Sequence, residues 1–296
     1  MQAFGPIVAL PAVRPEGRAW PPGLLWHPGP VEVPEYPAHD VAAHIGALRR
    51  EGQLLADEAE RAGMDAAVPS CPAWRVADLL RHTSYVHRWA AGVVAERIQH
   101  PVGEPLEEDI LRQGPDDESL VEWFRDGHAA LVRALEEADP DLDCWAFLNA
   151  PSPLAFWARR QAHETAIHRV DAEQAAAASA TVGSQFEPAF AADGVDELIM
   201  GFLARNIRRS SWRGLGGDLA IHADDGPAAR ADWLVTGGQG DAAVSRGTGP
   251  ADCAVTGRAC DLYLLLWNRG PADGLKVTGD PGVLAAFGRE VHITWH

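Results

Sequence analysis

Apolar residues recur at helical spacing along the first part of the chain and give way to short β-rich runs after about residue 186. From His39 to about Gly63, Val41, Ile45, Leu48, Leu54 and Leu55 stand among charged residues and predict a first amphipathic helix that Gly63 stops. The turn VPSCPAW follows, and Ser70, Cys71 and Pro72 lead into a second helix from about Trp74 to Ile98. Proline suits a first helical turn because the N–H it lacks has no partner there. On this helix Leu79, His82, Val86, Trp89 and Val93 share an inward face, and His87 lies on a different side. Residues 101–115 are polar and acidic and predict a loop. Asp116 to Ala138 predicts a third helix, with Leu120, Trp123, Phe124, Leu131 and Leu135 on its apolar side. After an irregular crossover over 144–154, which contains NAPSP, a fourth helix starts near Pro153 and dissolves in an alanine-rich stretch before Gly183.

Beyond Phe186, a helix carrying DGVDELIMGFLARN precedes GDLAIHAD, ADWLVTG, AAVSRG and DCAVTG, which predict strands of a small sheet. ACDLYLLLWNRG then predicts a mostly buried helix, LKVTGD a short strand and PGVLAAFGRE a closing helix. The expected fold is α+β in two domains, a four-helix bundle over 37–185 and a small α/β domain over 186–296. Residues 1–36 are too rich in proline for helix or central strand. They predict either a disordered leader or, favoured by Trp20, Leu25 and Trp26, an extended arm that docks on the body or on a second subunit.

The stretch with the most chemical content is Ala158 to Glu173, ARRQAHETAIHRVDAE. Glu164 and His168 are one helical turn apart, roughly 40° around the axis, so both side chains can reach one metal ion. The same spacing also describes a plain surface pair worth a few tenths of a kcal/mol. His163 points elsewhere. Ile167 occupies the place of the second histidine of HExxH, so that protease motif is absent.

A formal charge of −17 argues against nucleic acid or an anionic membrane as partner, since either needs clustered basic residues. The chain has a single lysine, Lys276, amid abundant Ala, Arg, Gly and Pro, as a high-GC genome would give. The sequence shows no apolar run of spanning length and no basic-then-apolar leader, and a reducing cytoplasm is the expected location. Cys71, Cys144, Cys253 and Cys260 form no CxxC and no disulfide framework. Cys71 sits just before a helix, where a thiol pKa can be lowered; the alternative is a small half-buried side chain at a turn.

Three passages in order, VPSCPAWRVADLLRHTSYVHRW, RRQAHETAIHRVDAE and CDLYLLLWNRGPADGLKVTGD, resemble the mycothiol-dependent maleylpyruvate isomerase family, a likeness covering about residues 39–296. The resemblance implies a DinB-like four-helix bundle followed by a smaller α/β domain. It also implies a divalent metal, typically zinc, on positions that fall here on His82, Glu164 and His168. It further implies mycothiol as thiol cosubstrate, with the thiolate adding to a conjugated double bond, permitting rotation and being expelled. S-transferases belong to the same family. Arg269 matches a family arginine expected at the substrate carboxylates; a favourable charge at a helix C-terminus is the other reading. Asp171 would orient a ligand or make a surface salt bridge. The partner implied is a small carboxylated electrophile, acted on by a monomer or homodimer. A metal-dependent enzyme without thiol, such as a hydrolase or natural-product tailoring enzyme, and a non-catalytic metal-binding or regulatory protein are the alternative functions.

Overall fold

The computed structural model describes residues 41–101, 110, 112–208, 214–225, 230–237 and 242–292. The predicted arm over 1–36 and most of the predicted loop over 101–115 lie outside the described residues.

Four long helices form the first half: α1 (Val41–Ala62), α2 (Val76–Ala95), α3 (Leu120–Glu137) and α4 (Pro153–Ala177). They match the predicted spans to within a few residues, and a single 3₁₀ turn, Asp117–Ser119, leads into α3. α4 starts where Ser152 accepts a hydrogen bond from the Ala155 N–H, with Pro153 in the first turn. It stops at Ala178, whose left-handed backbone (φ 49°) turns its N–H back onto the carbonyls of Gln174 and Ala175. α1 packs along α4 and α2 along α3. The α1–α3 contact is close at Gly52, where a Cβ would lie 2.2 Å from the Nε2 of His128.

α4 is buried on nearly every side, so its charged residues Arg160, Glu164, Arg169 and Asp171 have lost their water. Charges buried in this way need partners, and α4 therefore organises the polar interior. The inward face predicted for α2 also needs an addition. His87, on the other side, is fully buried and hydrogen-bonds Thr165 of α4 (2.8 Å), because α2 is covered on both flanks.

The second half opens with α5 (Pro188–Asp196), which widens into a π-helical segment over Glu197–Leu203 and ends as α6 (Ala204–Arg208). The sheet comprises β1 (Leu219–Asp224), β2 (Arg230–Thr236), β3 (Ala243–Arg246), β4 (Cys253–Gly257) and β5 (Lys276–Gly279). Its order is β3-β2-β1-β4-β5, with β1 and β4 parallel and the other pairs antiparallel. In that register Ile221 stands between Trp233 and Val255, three fully buried side chains at the sheet centre. α7 (Ala259–Leu266) connects β4 to β5, and α8 (Pro281–Glu290) closes the described chain behind an Asp280 cap.

The predicted α+β architecture is thus the observed one. One apolar core runs from Ile45 and Leu48 in α1 through Trp157 and Phe190 to Tyr263 and Trp233. A smaller cluster, including Leu55, Val68, Leu79 and Phe124, supports the turn between α1 and α2. Among the described residues no helix is long and apolar enough to cross a membrane.

Candidate metal centre

His82 from α2 meets Glu164 and His168 from α4. The Oε1 of Glu164 lies 3.3 Å from the Nε2 of His82 and 3.2 Å from the Nε2 of His168, and the three ligand atoms are all within 4.8 Å of one another. A tetrahedral ion with bonds of about 2.0–2.1 Å sets its ligand atoms about 3.3–3.4 Å apart, so the two separations from Glu164 Oε1 suit one small cation of the zinc type. Glu164 and His168 reach the point together because they are one helical turn apart. His82 joins them because the turn at 68–75 lays α2 against α4. The Trp74 ring from that turn flanks both imidazoles, 5.0 Å from His82 and 6.1 Å from His168.

The sequence left two readings open for Asp171, and its burial removes the surface salt bridge. Asp171 is fully buried, and its Oδ2 lies 2.8 Å from the Nδ1 of His168. A carboxylate on one ring nitrogen fixes the tautomer and turns the other nitrogen toward the site. Asp171 also accepts the Ser70 hydroxyl and the fork of Arg269, whose Nε and Nη2 donate at 2.8 and 3.0 Å. Arg269 arrives from just beyond α7, and its Nη1 donates to the Trp267 carbonyl (2.9 Å).

Burial opposes charge throughout this group; at Asp171, His168 and Glu164 the mutual contacts override it, whereas at His82 burial prevails and lowers the imidazole. Burial alone would raise Asp171, yet Arg269 and His168 hold it well below the usual carboxylate range. Burial disfavours the His168 imidazolium, but Asp171 and Glu164 carry it up to about 9. Glu164 is likewise held low against burial by His168, His82 and Arg160. Cys71 goes the other way. Burial, aided by the Asp171 charge, pushes its thiol up to about 11, which fits the half-buried side chain at a turn and not a thiol lowered by the helix.

A second trio has metal-like spacing but different chemistry. His44, His163 and Asp193 also place ligand atoms within 4.8 Å of one another. Here Asp193 Oδ2 takes His44 Nε2 (3.0 Å), His163 Nε2 (2.8 Å) and Arg159 Nε (2.9 Å), a fixed cation directly on the would-be ligand. Burial pushes His163 down to about 3, leaving it neutral, with Nδ1 3.1 Å from the Tyr263 hydroxyl. These contacts are those of a hydrogen-bonded joint between α1, α4, α5 and α7. A surface cleft of about 450 Å³ lies elsewhere, beside Leu54, Arg61, Arg169 and Gln185, and none of His82, Glu164 and His168 lines it.

Three residues that sequence reasoning passed over also converge on the centre. Arg160 donates to Glu164 Oε2 (2.9 Å), Glu197 accepts from Arg160, and Trp74 walls the imidazoles. The only advance signal was the Arg160–Glu164 spacing of four, which surface ion pairs share.

Residues 45–173 match the family model described as the mycothiol maleylpyruvate isomerase N-terminal domain, and residues 189–286 match the MDMPI C-terminal domain. The comparison with curated proteins gives no match. Among solved structures, the chain is similar to the crystal structure of the mycothiol-dependent maleylpyruvate isomerase (TM-score 0.56, 13% identity, 80% of this chain and 92% of that one). It is also similar to that of a histidine-to-alanine mutant of the same enzyme (TM-score 0.55, 13% identity, with 80% and 92% covered). At such identity the likeness is one of fold. With both family domains matched in order along the sequence, the chain belongs to the mycothiol-dependent maleylpyruvate isomerase family.

Proposed function

We propose that the chain is a metal-dependent enzyme that uses a low-molecular-weight thiol, mycothiol, to isomerise or S-conjugate a small carboxylated electrophile. The observation that carries the reading is the convergence of His82, Glu164 and His168, whose ligand atoms lie within 4.8 Å of one another, in a chain of this family. His82 and His168 would hold a divalent ion through Nε2, and Glu164 through Oε1. Three protein ligands leave a further position for an outside atom, the arrangement of a catalytic zinc site. A cation bound there would stabilise thiolate over thiol.

The protein's own residues prepare that point. Asp171 holds the Nδ1 proton of His168, and Arg269 and Ser70 keep Asp171 in place. Burial of Glu164 and His168 excludes water and strengthens each charge interaction. Arg269, which the family resemblance assigns to substrate carboxylates, has its fork on Asp171 here, so it supports the site through that carboxylate as well as by its positive charge nearby. In this reading residues 37–185 form the metal-binding bundle, and residues 186–296 supply Arg269.

The test is metal content of protein purified without chelator, compared with His82→Ala and Glu164→Ala, followed by titration with mycothiol. Loss of metal in both variants and thiol binding that requires the metal support the proposal. Equal metal in all three proteins overturns the ligand set. Bound metal without thiol affinity overturns the thiol chemistry in favour of metal-activated water. An empty, folded protein favours a non-catalytic role.

A further inference from the structure

We propose that Arg160 is a positioning residue that restricts Glu164 to one-oxygen ligation and so keeps coordination positions open at the metal centre. The inference rests on the metal reading above and concerns how the carboxylate would bind.

The two oxygens of Glu164 have different surroundings. Oε1 faces both imidazoles, at 3.3 and 3.2 Å. Oε2 faces the other way and accepts from Arg160 Nη2 at 2.9 Å. A carboxylate can chelate an ion with both oxygens or bind through one, and chelation at this centre would require Oε2 to leave Arg160. Leaving is costly, because Arg160 is itself immobilised. It is 1% exposed, and its Nη1 donates to Glu197, which is equally buried. Its guanidinium also lies over the rings of Phe202 (5.1 Å) and Trp267 (5.4 Å). Moving the fork would strand a buried positive charge and a buried carboxylate together.

The placement follows from the chain. Arg160 precedes Glu164 by one turn of α4, so the two side chains meet along the helix face. Glu197 begins the π-helical segment, whose wider turn changes the direction in which successive side chains point. The carboxylate that anchors Arg160 thus comes from the second half of the protein. A ligand held through one oxygen leaves a three-ligand centre with room for an outside thiol or substrate atom, whereas a chelating one would fill a further position.

Cobalt(II) loaded into the full-length protein tests this, because four-coordinate Co²⁺ absorbs visible light strongly and higher-coordinate Co²⁺ weakly. The informative variant is Arg160→Met combined with Glu197→Leu, which removes both buried charges together, an exchange that proteins often tolerate. Arg160→Lys is the second variant; it keeps a positive charge but loses the two-sided fork. The expected result is intense visible absorption from the wild type and a marked loss of intensity in both variants at full cobalt occupancy. Wild-type intensity in either folded variant overturns the inference. A wild type that takes up no cobalt overturns it together with the metal reading, which separates the two failures. If neither variant folds, a crystal structure of the metal-loaded wild type decides: Oε2 still on Arg160 supports the inference, and both Glu164 oxygens within about 2.2 Å of the ion overturn it.

Discussion

His168 and Asp171 face each other across one turn of α4 with Nδ1 and Oδ2 2.8 Å apart, and the same carboxylate receives Arg269 from the second half of the chain. This contact sets which nitrogen of His168 faces the candidate metal site. Asp171→Asn keeps the shape and removes the charge, and it should weaken metal binding by about 10- to 100-fold, the usual cost of losing such a partner. Competition against a chromophoric chelator measures it. Unchanged affinity would mean that the Asp171 charge does not tune the centre.

Acid should destabilise the protein through its buried histidines. Burial lowers His82, His87, His128 and His163 from the ordinary 6.5, His163 to about 3. The unfolded chain therefore binds protons that the folded chain refuses, and stability falls as pH drops from about 6.5 toward 3. His168 has the opposite sign in the metal-free protein. Raised to about 9, it contributes stability that is complete below 6.5 and is lost as pH rises through 9. Urea midpoints measured across this range with chelator present should pass through a maximum between the two limbs. His163→Gln should flatten the acid limb, and an equally steep limb in that variant would refute the assignment.

The close approach of α1 to α3 depends on a missing side chain. A Cβ at Gly52 would meet the His128 ring at 2.2 Å, and that ring is held by its Nε2 on the Leu48 carbonyl (3.0 Å). Gly52→Ala should cost about 1–3 kcal/mol by overpacking, even though alanine favours helix. A urea midpoint at or above the wild-type value would show that the helices can separate without loss.

Much of this was legible because it is local. The Glu164–His168 spacing, the proline and serine at the start of α4, and the glycine-punctuated strands each act within a few residues. What escaped depends on contacts far apart in sequence. Nothing near Glu197 announces that it will meet Arg160, and Asp193 looks like an ordinary helix acid until α5 brings it to His44 and His163. The all-round burial of α4 was also hidden. Its charged residues resemble a solvated face, and only the packing of neighbouring elements on every side shows that they are interior.

The continuous core has a bearing on how such a protein can be inherited. Apolar packing ties the bundle to the sheet through Phe190, Tyr263 and Trp233, and the ion pairs Arg160–Glu197 and Asp171–Arg269 cross between the same two halves. A truncated gene ending near residue 185 would encode helices with stranded interior charges and an uncovered apolar flank. Its product should aggregate, while the full chain melts in a single calorimetric transition. Duplication and recombination would then have to move the two halves together, as one heritable piece.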